Sequence, residues 1–284
     1  MLTRGLLVAF LLPGALLLLA FLVVPGAWSL GQSFTSYTLL GPQATDTHFV
    51  GLRNYQRALG DTGFWNALRV SLLYVFGSAV VGQMGVGLVL ALCTTRLEDR
   101  FAALVRGAAV LAWIAPGVVV AILWNIYLQP EGGTLNRLLG VQISWLAEHP
   151  LIAITLYNTW RGAAFSMLLL DAALRSIPMS YLEAAAVCGA STWQRFRDIT
   201  LPLLRPQLLT DLLLITLWTL NDFGPYLLTS GGPNHQTEVI PIFTWRVAFR
   251  SFDLGYGAAL STLLLAVNLA LALLYQAMLR RRAR

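Results

Sequence analysis

The sequence predicts an all-α integral membrane protein with six transmembrane helices. Apolar residues make up 57% of its 284 residues and charged residues only 11%, against roughly 25% charged in an average soluble domain. The mean hydropathy is +0.68. Several uncharged apolar runs are also longer than the roughly 20 residues that cross the hydrocarbon core of a bilayer.

Four of the spans are uncharged runs, at 5–30, 70–95, 107–130 and 255–279. Two further apolar runs contain charges: Arg161 lies in one, and Asp211 and Asp222 lie in the other. The first run exceeds the roughly 7–15 residues of a signal-peptide core, so we expect it to be retained. One transmembrane domain, 1–284, is predicted, with spans at 5–30, 67–95, 107–130, 151–171, 207–228 and 255–279.

The arginines predict the orientation in the membrane. Twelve of the nineteen flank the spans on the side of both termini, six flank them on the other side, and Arg161 is intramembrane. Because cytoplasmic flanks are enriched in positive charge, we expect both termini and the segment 172–205 in the cytoplasm. The Arg280–Arg284 tail then serves as an anchor and contacts membrane lipid.

Several kinds of chemistry are excluded. All nineteen positive charges are arginine, so the chain has neither a P-loop lysine nor a Schiff-base lysine. The arginines lie between apolar runs rather than on one soluble face, which argues against nucleic acid despite a pI near 9.7. Cysteines and histidines are too scattered for a metal or catalytic cluster. We expect no catalytic residue, no metal and no cofactor on this chain.

The predicted cytoplasmic segment 172–205 is the most informative stretch. Ser180 with Glu183, and Ser191 with Gln194, have the spacing of capping boxes. They predict two short helices joined at Gly189, a residue suited to a left-handed helix end, with Pro202 starting a new helix. Such a capped unit with small residues suits docking to another protein. The alternative is an ordinary loop in which Glu183 merely caps a helix.

The same segment carries a motif of fixed spacing. The pattern E-A-A, three residues, G, nine residues, I-x-L-P is matched by Glu183, Ala184, Ala185, Gly189, Ile199, Leu201 and Pro202. It resembles the permease subunits of binding-protein-dependent ABC importers. The stretches 49–55, 228–233 and 255–260 resemble the MalF-like (UgpA-like) members, so the resemblance covers nearly the whole chain. Cys188 departs from it, because an Asp usually precedes the motif glycine.

The resemblance implies a MetI-like six-helix permease with a cytoplasmic coupling helix. Glu183 would meet a basic residue in a cleft of a cytoplasmic ATPase. The expected partners are a second, MalG-like permease, two ABC ATPases and an extracytoplasmic substrate-binding protein. ATP and Mg would bind to the ATPases, so this chain is a transport subunit rather than an enzyme.

Polar residues within two spans predict a substrate path. On the fourth span Asn158, Arg161, Gly162 and Phe165 share one helical face. On the fifth span Leu214, Trp218, Asn221 and Asp222 also share one helical face. The register of the face that lines the path is defined there only to within one residue. Amide and guanidinium groups can bond hydroxyls, and an aromatic ring can stack on a pyranose. Arg161 and Asp222 are expected to pair across the path.

Arg161 and Trp218 could each have a purely structural role instead of contacting a substrate. Arg161 would in that case only bridge helices, and Trp218 would only pack in the core. Asp171 and Asp211 are expected near the cytoplasmic boundary, solvated or paired with arginine. Gly82, Gly85 and Gly87 predict close packing of helices.

The predicted cargo is a carbohydrate, a related polyol or a glycerol phosphate, with Arg161 favouring a polar or anionic solute. The main alternative is an ion-coupled secondary transporter that uses Asp222. An intramembrane enzyme is a weaker alternative, because no nucleophile–base pair or metal ligands lie at membrane depth.

Overall fold

A computed structural model describes residues 4–41, 44 and 46–280, and within them the regular structure is helical, apart from one isolated bridge between Thr35 and Phe49. The predicted tail 281–284 lies outside the described residues. In chain order the α-helices are α1 (Arg4–Leu18), α2 (Val24–Gln32), α3 (Arg53–Gly60), α4 (Thr62–Tyr74), α5 (Met84–Thr94), α6 (Asp99–Ile114), α7 (Gly117–Tyr127), α8 (Thr134–Leu139), α9 (Trp145–Glu148), α10 (Pro150–Arg175), α11 (Met179–Val187), α12 (Thr192–Arg195), α13 (Leu201–Leu220), α14 (Gly224–Thr229), α15 (Ile240–Trp245) and α16 (Leu254–Arg280).

Turns of π-helix join several of these into longer helices. They occupy Leu19–Val23, Val75–Gln83, Phe196–Thr200 and Arg246–Arg250. A π-turn accommodates one extra residue without ending a helix. The helices long and apolar enough to cross a membrane are therefore Phe10–Gln32, Thr62–Thr94, Thr192–Leu220 and Leu254–Leu279.

Two pairs of bent helices pass the same test when each pair is counted as one span. α6 and α7 meet at 99°, and α10 and α11 meet at 66°. The described residues therefore hold four candidate spans, or up to six with both pairs, which agrees with the predicted all-helical membrane fold.

The third predicted span, 107–130, is not one continuous helix. α6 ends at Ile114, and Ala115 and Pro116 are extended, with ψ of 131° and 129°. A proline disfavours the helical conformation for the residue before it, so the bend falls at Pro116. The absence of charge in 107–130 predicted an apolar segment, but it could not predict whether the helix through that segment is continuous.

The fifth predicted span, 207–228, does not coincide with one helix at either end. The helix starts at Thr192 and ends at Leu220, so Asn221 and Asp222 lie beyond its last turn. Gly224 and Pro225 then open α14, which explains the break, because neither residue supports a continuing helix. Pro202 does not start a helix, because the π-turn Phe196–Thr200 carries the helix into it.

The chain divides into two compact units. The first comprises Met1–Trp65 and Phe243–Val267. Within it, the amide of Asn54 donates to the carbonyls of Ser33 and Thr35, both at 2.9 Å. Arg57 pairs with Asp253 at 2.6 Å.

The second unit comprises Asn66–Ile242 and Asn268–Arg284. Its core contains Tyr74, Ile154 and Tyr157, all fully buried. A Cβ at Gly87 would lie 2.5 Å from that of Ser166 and 2.9 Å from the backbone nitrogen of Met167. Glycine there lets α5 and α10 pack closely, as predicted.

The other two glycines of the predicted packing set differ from each other. A Cβ at Gly82 would clash with the side chain of Thr159, so this glycine also permits close packing. A Cβ at Gly85 would have no atom within 4 Å among the described residues, so no contact within that part of the chain requires glycine there.

Candidate functional site

A pocket of about 550 Å³ lies within the second unit. The structure places around it seven of the residues that the sequence assigned to the substrate path: Asn158, Arg161, Gly162, Phe165, Trp218, Asn221 and Asp222. Leu214, predicted on the same face of the fifth span, does not line it. Sequence reasoning missed the other lining residues, which are Gln83, Trp113, Leu217, Thr219 and Phe223. Gln83 is the one amide in the uncharged run 70–95, and that signal would have identified it.

Amide side chains hold one wall of the pocket together. The Asn158 amide donates to Ser78 Oγ at 2.7 Å and to Thr219 Oγ1 at 3.2 Å. Gln83 donates to the same Thr219 oxygen at 3.3 Å. A Cβ at position 162 would overlap the Gln83 amide, so Gly162 is what allows Gln83 to reach the wall. These amides donate hydrogen bonds to other side chains of the protein, and those bonds fix the shape of this wall.

The predicted pair of opposite charges is present. Arg161 Nη1 lies 3.6 Å from Asp222 Oδ1, with 36% and 14% of the two side chains exposed. The other Asp222 oxygen accepts from the Tyr74 hydroxyl at 2.8 Å, and Oδ1 accepts from the Gly224 backbone at 3.0 Å. Asp222 therefore reaches the pocket from the break after α13 rather than from the helical face that the sequence predicted.

Aromatic rings form another wall. The Phe165 ring lies between Trp218, with centroids 4.7 Å apart, and Trp113, at 5.5 Å. Half of Trp218 is exposed, so it is not a core residue of this chain. An exposed indole beside hydrogen-bonding groups is suited to the apolar face of a sugar ring.

Asn221 links two helices beside the pocket. It and Asn268 of α16 each donate an amide hydrogen to the other's oxygen, at 3.0 and 3.1 Å. Asn268 is one of two amides in the apolar run of the last span, with Gln276, and its role beside the pocket was not predicted.

Asp171 and Asp211 are buried carboxylates that lie outside the pocket. Asp171 accepts from Thr94 at 2.8 Å, from Arg175 at 3.0 Å and from Arg106 at 3.3 Å, so the predicted arginine pairing is present. Asp211 is neither solvated nor paired with arginine. It is fully buried, accepts from Ser166 at 3.1 Å, and its Oδ2 has no hydrogen-bond partner among the described residues.

The position of the helix explains the wrong expectation for Asp211. The prediction placed the start of the span at 207, which would leave Asp211 at the boundary. The helix starts at Thr192, so Asp211 lies about five turns inside it.

The predicted coupling segment forms two helices joined at Gly189, which has a φ of +81°. The box of Ser191 and Gln194 is present, with its two hydrogen bonds at 2.7 and 3.3 Å. The box of Ser180 and Glu183 is not formed, because α11 starts one residue before Ser180 and its N-cap is Pro178. The Glu183 carboxylate is exposed.

The other motif residues are divided between α11 and the start of α13. Ala184 is exposed and Ala185 is half-buried, whereas Ile199, Leu201 and Pro202 lie where the π-turn meets α13. Cys188 and Cys93 are free thiols. The residues that the structure describes contain no group of three potential metal ligands among His, Cys, Asp and Glu.

Comparison with known proteins identifies relatives over nearly the whole chain. Residues 83–284 match the family described as binding-protein-dependent transport system inner membrane component. The trehalose/maltose transport system permease protein MalF of Thermococcus litoralis is 32% identical, over 93% of this chain and 90% of its own length. The sulfoquinovosyl glycerol transport system permease protein SmoG of Agrobacterium fabrum is 31% identical, over 98% and 91%.

A solved structure has the same fold. A chain of the bacterial alginate ABC transporter, crystallised in complex with an alginate pentasaccharide-bound periplasmic protein, superposes with a TM-score of 0.81. The match covers 98% of this chain and 94% of that chain, at 24% sequence identity.

Proposed function

This chain belongs to the family of binding-protein-dependent transport system inner membrane components, and from that we propose that it is the permease subunit through which an ABC importer passes a carbohydrate into the cell. The supporting observation is the pocket, in which Arg161 and Asp222 face an exposed Trp218. Paired polar groups beside an indole match the hydroxyl-rich edge and apolar face of a sugar. The names of two relatives, a trehalose/maltose permease and a sulfoquinovosyl glycerol permease, point to the same class. Related polyols and glycerol phosphates share the hydroxyl chemistry.

We assign the coupling role to the exposed segment around Glu183. α11 and α12 would dock in an ATPase, and closure of two ATPases on ATP and Mg would move the helices that carry the pocket. The chain itself has no lysine for a P-loop. The complete importer would contain a second, MalG-like permease, two ATPases and an external binding protein.

The orientation proposed from the arginines suits this arrangement. With both termini in the cytoplasm, the Glu183 segment faces the ATPases and the loop 229–254 faces the binding protein. We propose that residues 1–284 form one permease domain in the cytoplasmic membrane.

Reconstitution tests the proposal. The complex that co-purifies with this chain is inserted into liposomes with its binding protein, and uptake of labelled sugars is followed with and without internal ATP. We expect uptake only when ATP, the ATPases and the binding protein are all present. Uptake by this chain alone, driven by a proton or sodium gradient, would instead establish the ion-coupled alternative, which finds no support among the relatives.

A further inference from the structure

We propose that the Arg161–Asp222 pair makes the pocket selective for uncharged carbohydrates, because the Asp222 carboxylate keeps uronate and sulfonate groups away from the guanidinium. This inference rests on the proposed function and names the substrate class of the same pocket. It narrows the expectation from sequence, in which Arg161 favoured a polar or anionic solute, to the polar, uncharged class.

The charges of the pocket are balanced. Among its lining residues in the described part of the chain, Arg161 and Asp222 are the charged ones, and their formal charges cancel. Relatives leave the choice open, because maltose is uncharged whereas a sulfoquinovosyl group carries a sulfonate. The pair itself must therefore indicate which class fits.

The Asp222 carboxylate is held in place by two hydrogen-bond donors other than Arg161. Its Oδ2 accepts from the hydroxyl of Tyr74, which is fully buried, at 2.8 Å. Its Oδ1 accepts from the Gly224 backbone at 3.0 Å, within the break between α13 and α14. Two fixed donors on separate elements prevent the carboxylate from rotating away when a solute approaches Arg161.

The separation of 3.6 Å between Arg161 Nη1 and Asp222 Oδ1 is longer than a good hydrogen bond. The two groups therefore offer a donor and an acceptor side by side to a solute. A sugar hydroxyl can accept from Arg161 and donate to Asp222 at once, since a hydroxyl does both. A carboxylate or sulfonate accepts only, and it would meet the fixed negative charge of Asp222 at close range in a partly buried site.

Equilibrium binding to the importer complex tests this selectivity. The complex that co-purifies with this chain is placed in lipid nanodiscs without the binding protein, so that the permease alone selects. It is then titrated by calorimetry with maltotriose and with trigalacturonate. We expect wild type to bind maltotriose at least ~10-fold more tightly than trigalacturonate, and we expect Asp222→Asn to remove most of that difference by tightening trigalacturonate ~10-fold.

Asp222→Asn keeps the oxygen that accepts from Gly224, so the backbone break is retained. The gain in trigalacturonate affinity should shrink at high salt, because charge attraction is screened. Asp211→Asn is the matched control: it removes a negative charge from α13 outside the pocket, and we expect this variant to keep the wild-type preference for maltotriose.

Arg161→Leu is a second test, because it leaves the Asp222 carboxylate in the pocket without the guanidinium. We expect trigalacturonate to bind to this variant even more weakly than to wild type.

The outcomes separate this inference from the proposed function. If wild type binds trigalacturonate as tightly as maltotriose, or if Asp222→Asn keeps the preference of Asp211→Asn, the charge assignment is overturned while the carbohydrate pocket stands. If neither sugar binds to wild type or to any variant, the carbohydrate pocket itself is wrong, and the selectivity falls with it.

Discussion

The pocket and the coupling segment differ in where their partners lie. In the pocket the functional side chains bond one another, as in the contacts of Asp222 with Arg161, Tyr74 and Gly224. In the coupling segment Glu183 and Ala184 face outward. The pocket is therefore shaped by this chain, whereas the role proposed for the segment requires contact with another protein. Substitutions in the first should change both stability and transport, and substitutions of the outward-facing residues in the second should change transport alone.

The largest effect that tests this contrast is expected from Glu183→Arg. Reversing a charge at a buried protein interface costs several kcal/mol, which corresponds to a fall of about 100-fold. We expect ATP-driven uptake in proteoliposomes to fall by about that factor, while the melting temperature of this chain stays within about 1 °C because the side chain is exposed.

Glu98→Arg is the matched control for Glu183→Arg. Glu98 is also an exposed glutamate, 69% accessible, in a predicted cytoplasmic loop, and its ion-pair partner is the neighbouring Arg100. We expect this variant to transport normally. Equal loss of uptake in the two variants would show that transport depends on negative charge anywhere on the cytoplasmic side. The specific role proposed for Glu183 would then be wrong.

In the pocket, Arg161→Leu should act on stability as well. It leaves the Asp222 carboxylate, which is 14% exposed, without its cation. Removing one member of a buried pair costs 3–5 kcal/mol, and the partial exposure of Arg161 reduces this to about 2 kcal/mol. We expect a melting temperature lower by several degrees, together with a changed KM or kcat for uptake.

The control for Arg161→Leu is Arg57→Leu. Arg57 pairs with Asp253 at 2.6 Å but is 55% exposed, and exposed pairs contribute about 0–1 kcal/mol. If the two variants melt alike, burial of the Arg161 pair is not what stabilises it. If Arg161→Leu folds and transports with unchanged KM and kcat, the assignment of Arg161 to the path is wrong.

The sequence predicted the members of the pocket better than its geometry. Helical spacing on α10 correctly grouped Asn158, Arg161 and Phe165, because that helix is unbroken from Pro150 to Arg175. The same spacing on the fifth span assumed a helix that continues past Leu220. Asp222 still reaches the pocket, because its side chain bonds the Gly224 backbone in the break.

What hydropathy could not show is where helices begin, bend and end. Apolar runs identified the spans, since burial in lipid depends on composition. The bend at Pro116 and the buried Asp211 depend instead on backbone geometry and on which helix lies alongside. Gln83 and Asn268 were missed for a simpler reason, because an isolated amide leaves the apolar character of its run unchanged.

The smallest predicted effect compares the two capping boxes within the coupling segment. Ser191→Ala removes the acceptor of the Gln194 backbone hydrogen bond, at 3.3 Å, and loss of such a cap costs about 1 kcal/mol. Ser180→Ala should cost nothing, because Ser180 lies inside α11 and caps no backbone group, and alanine is the better helix former. Hydrogen exchange of the complex should therefore be about 5-fold faster around 192–196 in Ser191→Ala and unchanged around 179–183 in Ser180→Ala. Faster exchange in both variants would mean that the first helix uses the Ser180 and Glu183 box after all, and that Glu183 supports its own helix rather than facing a partner.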